Sequence, residues 1–197
     1  LGWHEEAARE FDRAEVLLDA HPDLSPLLRV RLWFERAVLA GTRKDYRAQA
    51  VHLDRMQAAL PPPDTRDAQA LHLRMWAEYA SVHANEGDGQ AMNAAFRQAE
   101  ALMAVMDDPP LDALRDLQGA RVILGYTRGD LEAAYGAALA NLDIQRRMGN
   151  AEAANMVTTL SNLAAVAAEL GRLDEALEHD RGALALALET YPAGHPS

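Results

Sequence analysis

The chain has 197 residues, long enough to bury a substantial core, and no cysteine, which excludes disulfides, thiolate metal sites and cysteine nucleophiles. Thirty acidic residues against 19 basic ones give a net charge of −11, and neither half is basic. Binding nucleic acid through its phosphates, or an anionic membrane surface, is disfavoured on that ground.

Forty alanines and 28 leucines stand against nine valines and two isoleucines, a balance that favours helix over strand. No apolar run approaches the roughly 18 residues that would span a membrane. Eighteen of the 19 basic residues are Arg, a bias we read as the base composition of a bacterial genome.

The first predicted helix covers 4–19, with Ala7, Phe11, Ala14 and Leu18 as its apolar face. Ser25-Pro26 reads as a cap followed by proline at the first helical position, opening a helix over 26–41. Gly41 or Lys44-Asp45 marks the next turn, and a third helix over 45–60 stops at Pro61-Pro62-Pro63. A fourth over 65–85 ends at Gly87, after which Asp88 caps a fifth over 89–106. Asp108-Pro109 repeats the cap-and-proline signal for a sixth helix, 110–128. Gly129-Asp130 separates it from a seventh, 131–148. Asn150 caps an eighth over 151–170, and Gly171-Arg172 leads into a ninth over 172–190. There Leu173, Ala176, Leu177, Leu184, Ala187 and Leu188 fall on one stripe. Gly119, Gly125, Gly136 and Gly182 lie inside helices at about 1 kcal/mol each, and close helix–helix approach is the expected compensation.

Gly87-Asp88, Gly129-Asp130 and Gly171-Arg172 are spaced 42 residues apart. Two helices per period of about 40 residues predict a solenoid of helix pairs, in which stacked units share a core that one unit alone cannot bury. The two ends fit the same rhythm: Leu170-Gly171 aligns with Leu1-Gly2, Glu175-Ala176 with Glu6-Ala7, and Ala183 with Ala14. Residues 1–24 then supply the second helix of a first repeat whose first helix is missing. Residues 25–63, 64–108 and 109–149 are the second to fourth repeats, and 150–197 the fifth with its linker, "YPAGHPS". The terminal apolar faces invite end-to-end self-association of such a fragment.

The pattern of small residues resembles tetratricopeptide repeats. It comprises Gly2, Ala7, Phe11 and Ala14 in the first repeat and Gly87, Phe96 and Ala99 in the third. The fourth contributes Gly129 and Ala134, the fifth Leu163, Gly171, Ala176 and Ala183. The period exceeds the family's common 34 and is similar to the longer repeats of kinesin light chain and of bacterial signalling proteins. "SNLAAVAAELGRLDEALEHDRGALALALETYPAGHP" carries that likeness most fully. Departures are Met92 and Gln49 at a small-residue position, Asp180 in place of the second-helix aromatic, and Arg121 where leucine is usual. The resemblance implies an all-α, right-handed α-solenoid of nine antiparallel helices. Its first helices would line a concave face, where an Asn holds an extended peptide by its backbone. Asn162 matches that position, with Thr158, Ser161, Ala165 and Glu169 beside it. By register the third repeat offers Arg74, Glu78, Ser81 and Asn85, and the fourth Asp116 and Tyr126. The groove lacks the Lys/Arg cluster of a C-terminal carboxylate clamp.

Chemical motifs are weak by comparison. His4-Glu5-Glu6 has no histidine four residues on, and Gly87-Asp88-Gly89 lacks the Lys-Ser/Thr of a phosphate loop. His72 and His83 share a helix with Trp76 and read as surface or packing histidines, and Trp3, Trp33 and Trp76 as packing anchors. Arg128-Gly129-Asp130 spells an integrin-binding tripeptide but sits where each repeat needs a glycine and a cap. With four serines and no Gly-x-Ser-x-Gly, no catalysis, metal or cofactor is expected. The reading is a protein-interaction scaffold that binds a protein or peptide, within a larger cytoplasmic bacterial signalling or regulatory protein. The alternative is a domain that senses a peptide or small ligand and controls an attached kinase, DNA-binding or effector domain.

Overall fold

The computed structural model describes residues 2–149 and 152–190. Asn150, taken above as a cap, and the linker at 191–197 lie outside the described residues. Within them the chain is all-α: α1 (Gly2–Ala20), α2 (Pro26–Thr42), α3 (Tyr46–Ala59), α4 (Arg66–Glu86), α5 (Gly89–Met103), α6 (Leu111–Arg128), α7 (Leu131–Met148), α8 (Ala153–Glu169) and α9 (Leu173–Thr190). Among the described residues no helix is long and apolar enough to cross a membrane. The chain divides into two units, one ending at Pro109 and the other beginning at Pro110.

Local chemistry explains most boundaries. Gly87, Gly129 and Gly171 close α4, α6 and α8 with φ of 77°, 70° and 76°, a left-handed backbone that glycine adopts without penalty. Asp88 and Asp130 accept from the first backbone N–H groups of the helices that follow. The two cap-and-proline signals fare differently. Ser25 is the N-cap of α2 with Pro26 at its first position, as expected, although its side chain makes no cap bond. Asp108 does not open α6, which starts at Leu111 after an extended Pro110. Proline biases the residue before it away from helix, and Pro109 stands before Pro110. Asp108 is engaged instead by Arg66, at 2.6 Å.

The α2–α3 turn also departs from the glycine rhythm. Lys44, not Gly41, takes the positive φ, at 58°. Gly41 is inside α2, and a Cβ there would lie 2.9 Å from the Gln49 side chain. The glycine thus serves helix contact and the lysine absorbs the turn.

In the first unit α2 pairs with α3 and α4 with α5, while α3 also packs on α4. Val30, Phe34, Leu53, Met56, Leu73, Met75, Val82 and Met92 are its largest fully buried side chains. The α4 helix is buried at nine positions on several of its faces, as a helix enclosed by neighbours must be. Among the residues of α1 whose burial is described, none is fully buried. Its Ala7, Phe11, Ala14 and Leu18 are half-buried rather than open to solvent, and the apolar residues it exposes are Trp3, Val16 and Leu17. A polar tie holds it to α2: the Arg36 guanidinium donates to Asp12 and Glu15 at 2.7 and 2.9 Å.

In the second unit α6 pairs with α7, α8 with α9, and α7 packs on α8. Tyr135, Ala138, Leu142, Leu160, Leu163, Val166, Ala167, Ala176 and Ala183 form its core. Of the four interior glycines, Gly125 alone is pressed hard against another helix, its missing Cβ falling 2.6 Å from the Ala134 backbone. Gly119 and Gly182 meet ordinary van der Waals contacts, and Gly136 meets nothing within 4 Å. The α9 stripe is split by the fold. Ala176 is buried, whereas Leu173, Leu177, Leu184 and Leu188 face solvent. The side of α9 that meets α8 is built from small residues, Ala176, Gly182 and Ala183, together with Leu186.

Candidate functional site

The polar residues expected at a binding face fall on one helix of the first unit and two of the second. On α4 each is engaged within the chain. The Arg74 guanidinium lies over the Phe34 ring at 4.0 Å, a cation–π contact. The Glu78 carboxylate accepts from the buried Gln49 amide at 2.6 Å. The Ser81 hydroxyl donates to the Ala77 carbonyl one turn back, and the Asn85 amide donates likewise to Ser81. The face is therefore largely knitted into its own helix and its neighbours.

The second unit differs. Along α8, Thr158, Ser161, Asn162, Ala165 and Glu169 are all exposed. Thr158 makes one long bond to the Ala154 carbonyl, at 3.4 Å. Ser161 and Asn162 make no side-chain hydrogen bond to another described residue. The side of the helix they occupy is fixed all the same, because Leu163, Val166 and Ala167 on the adjoining side are buried in the core. Tyr126, near the end of α6, is partly exposed, and its hydroxyl pKa is raised by burial and by the negative charge of Glu169. The end of α6 and the end of α8 thus bring a phenol and a carboxylate into electrostatic reach. Asp116, the other α6 candidate, is held by Arg115, at 2.7 Å, and Arg115 also reaches Glu152 at 2.9 Å. Burial works against the charge on Arg115, and the two carboxylates outweigh it, raising its pKa.

Three groupings escaped sequence reasoning. The Tyr135 hydroxyl on α7 donates to Glu175 at 2.7 Å and lies 2.9 Å from His179 Nε2. With its one proton given to the carboxylate, the phenol oxygen is left to accept from the ring in the tautomer that carries its hydrogen on Nε2. Burial first, then Glu175, push the Tyr135 hydroxyl up to about 12, so near neutrality it is a neutral tie between α7 and α9 rather than a nucleophile. On α2 and α3, Trp33 stacks on His52 at 6.0 Å and carries the Arg55 guanidinium at 4.9 Å. Third, α6 and α7 border a cavity of about 430 Å³ with Gly136 in its wall. His72 and His83 pack as expected: His72 Nε2 donates to the Pro61 carbonyl and His83 stacks on Tyr79.

The α8–α9 hairpin carries the most complete form of the repeat: a buried Leu163, a left-handed Gly171 at the turn, and buried Ala176 and Ala183 on the second helix. Residues 156–197 match the tetratricopeptide repeat family. The match takes in most of α8, the turn and all of α9, so it is this hairpin that is similar to a tetratricopeptide repeat. No curated protein and no solved structure matches the chain. The repeat places Asn162 on the first helix of its pair, beside the buried leucine that anchors that helix.

Proposed function

We propose that the chain is a protein-interaction scaffold whose α8 face, with Asn162 at its centre, holds an extended peptide segment of a partner protein. The tetratricopeptide repeat at 156–197 supports the scaffold reading, since such repeats generally mediate protein–protein interaction. One observation carries the choice of face: Asn162 is exposed, lies on the solvent side of a helix anchored by the buried Leu163, and its side chain bonds no other described residue. Its amide both donates and accepts, as a peptide bond does. Ser161 and Thr158 extend the same polarity along the helix, and Tyr126 adds an aromatic surface. The α4 residues Arg74, Glu78, Ser81 and Asn85 form a separate proposed contact face on the first unit, internally bonded. The setting we propose is a larger cytoplasmic regulatory protein of bacterial origin.

The test is a random peptide library selected on the 197-residue chain, with affinities then measured for Asn162→Ala. Loss of the paired hydrogen bonds should weaken selected peptides by about 1–2 kcal/mol, roughly 5- to 30-fold. The melting temperature should stay near that of the parent. A melting loss with unchanged affinity in the folded fraction would place Asn162 in the scaffold and remove it from the site.

A further inference from the structure

The α2–α3 turn carries charge that the fold does not use. Arg43, Lys44 and Arg47 fall within five residues of one another, and all three are exposed. None of their side chains makes a hydrogen bond, ion pair or ring contact with another described residue. On the neighbouring helices, by contrast, Arg29, Arg31, Arg36 and Arg66 are each held by a carboxylate. Asp45 is the one acid in the turn, and it is directed at the start of α3, where it accepts from Ala48 N–H at 3.0 Å. Residues 43–47 thus carry three positive charges against one negative, in a chain whose net charge is −11.

Two of the three cations sit where they work against stability. Lys44 has a φ of 58°, and among the described residues no other non-glycine residue has a positive φ. The turns at Gly87, Gly129 and Gly171 give this left-handed position to glycine, which adopts it without the crowding a Cβ brings. Lys44 is also the single lysine of the chain. Arg47 lies in the first turn of α3, at the positive end of the helix dipole, and no acidic residue accompanies it there. Only Arg43, at the end of α2, suits the helix that carries it. The surroundings are positive as well. Arg43 borders a cavity of about 150 Å³ together with His52. Arg36 and Arg55 each lower the His52 pKa more than Glu15 or Asp45 raises it, so positive potential prevails beside the turn.

We propose that Arg43, Lys44 and Arg47 form a docking point for an acidic segment of a partner protein, whose carboxylates pair with the three cations. A strained lysine and an arginine at the wrong helix end are kept for what they meet outside the chain. The guanidiniums offer paired donors that match a carboxylate, and the ammonium adds a compact charge between them. Charge also selects the partner. A nucleic acid carries a negative charge at every phosphate, and beyond the turn those charges meet the acidic remainder of the chain. A short acidic segment meets the turn alone. The site lies in the first unit and uses none of the residues proposed above to bind peptide, so it stands or falls separately from that reading.

Fluorescence anisotropy with a short dye-labelled peptide of alternating Glu and Gly tests this on the 197-residue chain. The peptide should bind at 0.1 M salt and be released at 1 M, where the Debye length has fallen from about 10 Å to about 3 Å. Its Gln–Gly counterpart should not bind. Lys44→Gln and Arg47→Gln should each weaken binding by about 2- to 5-fold, the scale of exposed ion pairs, and Lys44→Arg should retain it. Arg97→Gln removes an exposed cation from α5 and should change nothing. Lys44→Gly separates charge from strain: it should bind as weakly as Lys44→Gln yet melt about 2–4 °C higher than the parent, because glycine relieves the left-handed turn. All variants should keep the parent's helical spectrum. A parent that ignores the Glu peptide, equal binding of the Gln peptide, or Lys44→Gln and Lys44→Gly variants that bind as the parent does would each overturn the proposal. Tighter binding of a single-stranded DNA of equal charge would overturn it too, by showing that the turn takes phosphate in place of carboxylate.

Discussion

Two glycines in the α6–α7 hairpin make opposite forecasts when changed to alanine. The substitution removes the helix-interior glycine penalty, a gain of about 0.8–1 kcal/mol if nothing else changes. At Gly136 nothing else changes, because the new methyl meets no atom within 4 Å. Gly136→Ala should therefore stabilise by about 1 kcal/mol, which raises the melting temperature by roughly 2–4 °C for a chain of this size unfolding cooperatively. At Gly125 the methyl would fall 2.6 Å from the Ala134 nitrogen, 2.7 Å from its Cβ and 2.8 Å from its Cα. Carbon atoms rest at about 3.5–4 Å, so α6 and α7 must part by about 1 Å. The hairpin resists there, since Asp130 N–H donates to the Gly125 carbonyl at 2.9 Å and pins the turn. Overpacking of this kind costs about 1–3 kcal/mol, which exceeds the helix gain in most of its range. Gly125→Ala should lower the melting temperature while Gly136→Ala raises it. Thermal melts followed by circular dichroism on the two variants and the parent decide the matter. A Gly125→Ala protein as stable as the parent would refute the close approach of α6 and α7. A destabilised Gly136→Ala would show that the chain itself needs that glycine.

Two further outcomes follow from the caps and from His52. Asp130→Ala removes the acceptor for Ala133 N–H and should cost about 1 kcal/mol, whereas Ser25→Ala, at a cap whose side chain bonds nothing, should leave the melt nearly unchanged. The His52 pKa is lowered, chiefly by burial and then by Arg36 and Arg55, with Glu15 and Asp45 pulling the other way and Trp33 stacked on the ring. The unfolded chain then binds more protons than the folded one near pH 6.5, so stability is full above that pH and declines as pH falls through it. Melts at neutral and mildly acidic pH should show a drop in the parent that is smaller in His52→Gln; equal drops would show that His52 contributes none of it.

The fold was legible because its signals are local. A glycine in the left-handed region, an aspartate one residue on and a proline run each act within a few residues of themselves. They mark the ends of α4, α6, α8 and α3 with no knowledge of the rest of the chain. The sequence misled where a residue answers to a distant neighbour. Gly41 looks like a turn glycine, yet its role is to admit Gln49 of the next helix, and the turn falls to Lys44. The leucines of α9 have the periodicity of a core stripe, but periodicity says only that they share a face. Which face is covered depends on α8, and α8 meets the alanines instead.

The same distinction governs the binding surface. By repeat register Glu78, Asn85 and Asn162 all fall on first helices, although Asn162 alone matches the Asn position of the resembled repeats. Glu78 is taken by Gln49, which lies 29 residues earlier, and Arg74 by Phe34 on another helix. Asn85 turns back onto its own helix, bonding the Ser81 carbonyl at 2.7 Å, a choice of rotamer that sequence does not encode. Asn162 has the same option one turn back and does not take it. Its neighbours on α8 explain why the residue still has a defined direction: Leu163, Val166 and Ala167 lock the helix rotation against the core, which leaves the amide projecting outward. A polar group held in place by its apolar neighbours, and not by bonds of its own, meets a partner with its hydrogen-bonding capacity intact. Binding must then order one side chain, at about 0.5–1.5 kcal/mol, and not the helix that carries it, so the net gain from its hydrogen bonds stays in the range of about 1–2 kcal/mol.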